Sequence, residues 1–171
     1  MSNTITGSIC LTNGKKMNFE LYSDVAPLSV ANFVKLAKEN FYNGLCFHRV
    51  IPGFMVQGGG MVASGKRLQE KRAKDTIKGE FISNGVQNTL KHTPGVLSMA
   101  RTQVKDSATS QFFICVADTP FLDGEYAGFG KLVGQDSIDI AIEISKVPTT
   151  RVEYHDDVPV TAIEIQSVII N

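Results

Sequence analysis

Ile5-Thr6-Gly7-Ser8-Ile9-Cys10-Leu11, then Thr12-Asn13-Gly14-Lys15, then Lys16-Met17-Asn18-Phe19-Glu20-Leu21 is the most legible stretch of the 171 residues. The outer runs alternate apolar and polar side chains, as a half-buried strand requires. Between them sits Asn-Gly, two residues that both accept positive φ and so favour a hairpin turn. Two antiparallel strands are therefore expected at the start of the chain.

The next segment changes period. Val30, Phe33, Val34, Ala37 and Phe41 follow the i, i+3, i+4, i+7, i+11 spacing of a helix face. Asp24 stands where it can cap this helix, Pro27 fits its first turn, and Lys35 and Lys38 suit its C-terminal end. Beyond Asn43-Gly44 the chain becomes short apolar runs divided by turn residues. These are Cys46 to Val50, Phe54 to Gln57, Val96 to Ala100, Phe112 to Ala117, Phe129 to Val133 and Val160 to Ile170. With the first hairpin they make eight strands. Helices do not alternate with them, so a parallel βαβ sheet is disfavoured and an antiparallel barrel or sandwich is expected. Ser137 to Ile144 alternates with period two and reads, taken alone, as a further strand. No repeat, linker or composition break divides the chain, and residues 1–171 are read as a single domain.

Composition narrows the function classes. Lys+Arg and Asp+Glu both number 17, giving zero formal charge, so the basic excess of a nucleic-acid reader is missing. The run Lys66 to Lys74 is interrupted by Glu70 and followed by Asp75 and Glu80, as in a solvated loop. No stretch approaches the ~18 apolar residues of a membrane span, and Met1 to Thr6 has neither the basic nor the apolar part of a secretory signal. Three widely spaced cysteines, Cys10, Cys46 and Cys115, argue against a disulfide framework. The expectation is a cytoplasmic chain with buried, reduced thiols that can act as a monomer, without membrane or nucleic-acid partners.

Two motifs are decoys. Gly60-Met61-Val62-Ala63-Ser64-Gly65-Lys66 repeats the opening of a phosphate-binding loop, with Phe112 to Asp118 as a conceivable acidic strand. Arg67 follows, however, and cannot supply the magnesium-ligating hydroxyl. A nucleotide hydrolase is therefore disfavoured. Cys46 and His48 form the only close soft pair, short of the three or four ligands of a zinc site. As a Cys–His nucleophile the pair lacks an orienting acid, so a packed cysteine and a hydrogen-bonded histidine are the simpler reading.

The chemistry concentrates in Phe47-His48-Arg49-Val50-Ile51-Pro52-Gly53-Phe54-Met55-Val56-Gln57-Gly58-Gly59-Gly60. An arginine on a short strand stands beside aromatic, thioether and amide side chains. The glycines imply backbone that turns sharply or passes close to something. Residue chemistry alone leaves Arg49 undecided between a salt-bridged structural arginine and a working donor.

Phe47-His48-Arg49 through Gln57-Gly58-Gly59 resembles the cyclophilin signature. Leu97-Ser98-Met99-Ala100-Arg101 followed by Ser110-Gln111-Phe112-Phe113-Ile114 is similar to a second block of that family. Phe121-Leu122-Asp123-Gly124 with Phe129-Gly130-Lys131 resembles a third, all in order and spacing from about Thr4 to Ile170. The resemblance implies a mainly β fold, a closed eight-stranded antiparallel barrel capped by two helices, with residues 135–145 as the second helix. It implies a peptidyl-prolyl cis–trans isomerase that accelerates X–Pro isomerisation and assists folding, needing no cofactor or metal. Arg49 would be catalytic, and Gln57 would hold it and contact the substrate backbone. Phe54, Met55, Phe113 and Leu122 match the proline pocket; Ala100, Arg101 and Gln111 match the peptide groove. Phe121 stands where eukaryotic members carry tryptophan and Tyr126 where they carry histidine, as the bacterial pattern has at the first of these. Loss of the indole donor implies weakened cyclosporin binding. The implied partners are proline-containing peptides and unfolded proteins. The alternative of another class is a non-catalytic proline-peptide binding module.

Overall fold

The computed structural model describes residues 4–171. The amino-terminal hairpin forms from Thr4–Leu11 (β1) and Lys16–Tyr22 (β2), in a register that sets Cys10 against Lys16. Ile9, Leu11, Met17, Phe19 and Leu21 all point into the core while Lys16 and Asn18 stay outside. Within this turn only Gly14 takes a positive φ, at 88°. Asn13 contributes instead through its side-chain carbonyl, which accepts the Lys15 N–H at 2.9 Å.

Pro27–Lys38 forms α1. Its N-cap is Ala26, which has no side chain to cap with, so the expected role of Asp24 falls to a distant residue. The buried Glu80 carboxylate accepts the N–H groups of Leu28 (3.0 Å) and Ser29 (2.6 Å) and the Ser29 hydroxyl (2.8 Å). An anion there satisfies the orphan donors and meets the positive end of the helix dipole. Phe33 drives the helix into the core, where its ring meets Phe19, Tyr42, Phe112 and Phe129 at centroid distances of 5.2–5.7 Å.

The other strands are Cys46–Ile51 (β3), Met55–Ser64 (β4), Arg67–Glu70 (β5), Val96–Met99 (β6), Phe112–Cys115 (β7) and Gly128–Leu132 (β8). After Gln135–Ser145 (α2) come Thr149–Val152 (β9), His155–Pro159 (β10) and Ile165–Ile170 (β11). The main sheet is antiparallel throughout, in the order β11-β1-β2-β8-β6-β7-β4-β3, with β5 added to β4. The eight strands of that path are the eight apolar runs of the sequence.

Closure of the barrel is not reached. The sheet curls into an open half-barrel, and β3 and β11 do not pair as a ladder. One isolated bridge, Cys46 to Glu164, spans the seam, helped by amide bonds from Phe47 to Ile163 (3.0 Å) and from Ile165 to Leu45 (2.7 Å). The Gly44 N–H adds a bond to the Ile165 carbonyl (2.8 Å), and along its other edge β11 pairs with β1.

The period-two segment is a helix, as the family resemblance implies and the alternation alone does not. Ser137, Ala141, Ile144 and Ser145 are its buried residues, at the i, i+4, i+7, i+8 spacing of one helical face. Small side chains carry that face, and counting isoleucines overlooks them. The phosphate-loop lookalike lies in the β4–β5 hairpin, with Gly65 at its turn. Among the described residues no helix is long and apolar enough to cross a membrane, and no group of three or more His, Cys, Asp or Glu could hold a metal.

Candidate active site

One cavity of about 550 Å³ opens on the β6–β7–β4–β3 face of the sheet. The nominated side chains reach it from several supports. Arg49 comes from β3, and Phe54 from the tight turn that leads into β4. Met55 and Gln57 stand on β4 and Phe113 on β7. Ala100 and Arg101 follow the end of β6, Gln111 precedes β7, Leu122 sits in a single 3₁₀ turn at Pro120–Leu122, and Tyr126 enters from the loop before β8. Phe121 is the exception: it is 68% exposed, outside the cavity lining, with its ring 5.7 Å from that of Phe54.

The floor is apolar. Met55, Phe113 and Leu122 are buried in a satellite cluster with Val96 and Cys115, and Phe54, Ala100 and Tyr126 pack against it. The Tyr126 ring meets Phe113 edge-on at 5.7 Å. A flat five-membered ring entering there would shed water on its apolar faces, the main favourable term for such a ligand.

Sequence reading misses what holds that floor. Asp123 Oδ1 lies 2.9 Å from His92 Nδ1, and His92 Nε2 lies 2.8 Å from Ser98 Oγ. The His92 amide also donates to Asp123 Oδ1 at 2.7 Å, and its ring stacks on Phe113 with planes 19° apart. Burial lowers the His92 pKa, so the neutral ring donates to Asp123 and accepts from Ser98. For Asp123 burial works to raise the pKa, but the hydrogen bonds from the His92 amide and ring outweigh it and hold it low. The order Ser–His–Asp suggests a hydrolase, yet Ser98 has no exposed surface for a substrate to reach. The network therefore positions Phe113 and the 3₁₀ turn. No local pattern links residues 92, 98 and 123 in the sequence.

The polar wall differs from the expected one in a single respect. Arg49 and Gln57 are cross-strand partners, so their side chains leave the same face. Gln57 nevertheless donates its amide to Gln111 Oε1 at 2.9 Å rather than holding the arginine. Gly60 makes this possible, because a Cβ there would collide with the Gln111 side chain. Gly59, at φ 89°, is likewise enclosed by the rings of Tyr42 and Phe112.

The two arginines of the cavity are in opposite states. Arg101 donates to the Glu125 carbonyl from Nε (3.2 Å) and a terminal nitrogen (2.6 Å), and to the Thr102 carbonyl (2.9 Å). Its guanidinium also lies over the rings of Phe81 and Tyr126, at 4.7 and 4.6 Å. Arg49 is exposed and, among the described residues, makes no hydrogen bond or ion pair. The structural-ion-pair reading of Arg49 required a carboxylate partner, and none is in place.

A β-bulge explains how Arg49 and its neighbour share one cavity. The β3–β4 register runs from Phe47 opposite Gly58 to Arg49 opposite Gln57, leaving His48 as the extra residue. Bulges re-aim side chains in this way beside functional sites. His48 is buried, its Nδ1 has no partner, and burial together with the charges of His155 and Arg49 lowers its pKa to about 4. The remaining wall, Tyr154 to Asp157, belongs to the β9–β10 hairpin that sequence reading left unassigned. Its two-residue tip is Glu153-Tyr154, with Glu153 at φ 56°, so the Asn-Gly signature of a tight turn is absent.

The curled antiparallel sheet, its two helices and the apolar cavity on one face define a cyclophilin-like fold. The family model for cyclophilin type peptidyl-prolyl cis-trans isomerases (described as including CLD) matches residues 8–170, and the chain belongs to that family. It is 47% identical to a peptidyl-prolyl cis-trans isomerase of Acinetobacter baylyi, over 92% of this chain and 81% of that one. Peptidyl-prolyl cis-trans isomerase B of Escherichia coli is 41% identical, over 94% and 96% of the two chains. Among solved structures, a cyclophilin type isomerase of Cryptosporidium parvum superposes with a TM-score of 0.72 at 27% identity, covering 98% of each chain. A second structure of that protein, in the presence of the dipeptide Ala-Pro, gives a TM-score of 0.70 at 28% identity over 97% and 98%. The chain is accordingly an enzyme, a cyclophilin-type peptidyl-prolyl cis–trans isomerase.

Proposed function

We propose that Arg49 is the side chain through which this isomerase stabilises the twisted X–Pro bond. Resonance holds the planar amide behind a barrier of ~18–20 kcal/mol. When the C–N bond twists, conjugation is lost, the prolyl nitrogen becomes pyramidal and its lone pair localises. A cationic donor aimed at that lone pair binds the twisted state better than either planar isomer, and only such differential binding accelerates the step. The observation that carries the assignment is the free guanidinium. Arg49 has no internal partner to release before it donates, whereas Arg101 is already committed.

The proline ring would rest on Phe54, Met55, Phe113 and Leu122, excluding water and strengthening the arginine's field. Gln57 and Gln111, locked to each other, would present their remaining amide groups to the substrate backbone beside Ala100 and Arg101. Tyr126 closes the aromatic wall, and Phe121 extends it at the rim without an indole donor. No covalent bond is made or broken, so the proposed mechanism calls for no cofactor or metal. The substrates are read as proline-containing segments of peptides and unfolded proteins, handled by a single domain acting as a monomer in the cytoplasm, and cyclosporin as a weakened ligand. A protease-coupled assay on a proline tetrapeptide tests the reading: acceleration that disappears with a filled proline pocket supports it, and the uncatalysed rate would refute it.

A further inference from the structure

The hairpin of β9 and β10 is hydrogen-bonded only to itself, yet β10 packs against β3, directly beside Arg49. An aromatic chain fixes it there: the Tyr154 ring lies 4.3 Å from His155, and the His155 ring 6.2 Å from the buried His48. Past His155 the β9–β10 register slips before Val158, and Asp157 sits at φ 61°. This bulge places both Asp156 and Asp157 on the wall of the cavity that Arg49 lines. Asp156 has one loose ion pair, with Arg151 at 3.8 Å, and both side chains are largely exposed. Asp157 has no hydrogen bond or ion pair among the described residues. Two carboxylates that little inside the protein neutralises thus border the substrate cavity at one end.

We propose that Asp156 and Asp157 form a charge-selective wall that favours substrates with a lysine or arginine beside the proline, on the flank lying over β3 and β10. The inference rests on the isomerase reading of the same cavity and adds a preference the pocket floor cannot supply. Arg49 opposes it with one positive charge, while Arg101 is held on the Glu125 carbonyl after β6, across the β6-β7-β4-β3 face from β10. Two carboxylates against one nearby guanidinium leave the flank over β3 and β10 net acidic for the neighbouring side chain. Asp156 is exposed and Asp157 half-buried beside open solvent, so the preference is modest and salt-sensitive, roughly three- to ten-fold between a cationic and an anionic residue.

The test uses the intact protein and proline tetrapeptides with Lys, Ala or Glu immediately before or immediately after the proline. Exchange spectroscopy gives kcat/KM for each without a coupling protease. The Ala peptide reports whether the site isomerises at all. The expected result is Lys above Ala above Glu at one flank, collapsing toward equality in about 1 M salt, where the Debye length is about 3 Å. The Lys/Glu ratio should also fall toward one in the nearly isosteric D156N/D157N variant. Acceleration of the Ala peptide with no charge dependence at either flank would overturn the wall and leave the isomerase reading standing. A Lys/Glu ratio that survives both high salt and the double substitution would overturn it too.

Discussion

Gln57 donates its side-chain amide to Gln111 across β4 and the start of β7 at 2.9 Å, which leaves its cross-strand partner Arg49 without a ligand from the protein. The pair fixes two amides at the edge of the pocket while the guanidinium beside them stays available. Replacing Gln57 with leucine strands the Gln111 carbonyl and removes an amide from the groove. A single hydrogen-bonded group at such an edge is worth about 1 kcal/mol. Gln57→Leu should therefore lower kcat/KM by about five- to ten-fold, mainly through KM, as steady-state kinetics on a tetrapeptide would register. A loss in kcat alone would mean that Gln57 acts in the twisted state.

The His92 network should matter for order more than for charge. Asp123→Ala leaves the buried His92 Nδ1–H without its acceptor, and stranding a buried polar group costs about 1–3 kcal/mol. Because His92 stacks on Phe113, the same change should loosen the pocket floor. Chemical denaturation should show the stability loss, and Asp123→Asn, which keeps an acceptor oxygen, should recover part of it. Equal stability of Asp123→Ala and wild type would show that the network does not hold the pocket floor.

His48 gives the protein an acid limit. Its pKa falls from 6.5 to about 4 in the folded state, so the unfolded chain binds the proton more tightly. A depressed folded pKa contributes stability that is complete above pH 6.5 and is lost as the pH falls from there toward 4. Between pH 7 and 5 the loss from this site is about 2 kcal/mol. His92, also lowered by burial, acts in the same direction. Urea unfolding at the two pH values should show the drop, and His48→Phe should shrink it. A pH-independent midpoint over that window would contradict the burial argument.

Glu80 lies 52 positions from Leu28 yet caps α1. Glu80→Ala leaves three donors without a carboxylate, and charged hydrogen bonds contribute ~1.5–3 kcal/mol each in favourable cases. The three bonds share one carboxylate and do not add in full, so a loss of about 3 kcal/mol is expected, with isomerase kinetics at a permissive temperature close to wild type, since the cap lies outside the cavity. A thermal midpoint within a degree or two of wild type would show that the cap is dispensable.

Cyclosporin should inhibit weakly. Phe121 offers an exposed ring without a donor where eukaryotic relatives place an indole. Titration of the drug against isomerase activity measures this directly, and potent inhibition would contradict it.

The strands were legible because alternation in β1 and β2 and short apolar runs elsewhere carry a local signal. Pocket residues were legible only through family blocks, since Arg49, Phe113 and Leu122 converge from distant strands. Two features escaped for definite physical reasons, and helix α2 was legible only through the family blocks. The seam joins residues 44–47 to residues 163–165 by a few backbone bonds, a pairing between distant segments that no local pattern encodes. Helix α2 buries serine and alanine beside isoleucines that happen to alternate. The β9–β10 hairpin turns through Glu153 and bulges at Asp157, residues that ordinarily signal neither.

Arg49 is proposed to act on the twisted bond and not on the bound peptide. Its direct test is Arg49→Ala, with kcat/KM measured on a proline tetrapeptide and affinity measured separately by binding. Loss of one preorganised donor to a transition state costs ~2.7–4 kcal/mol, so kcat/KM should fall by about 10²–10³ while affinity changes by a few-fold at most. An equal fall in affinity and rate would make Arg49 a binding residue and contradict the mechanism.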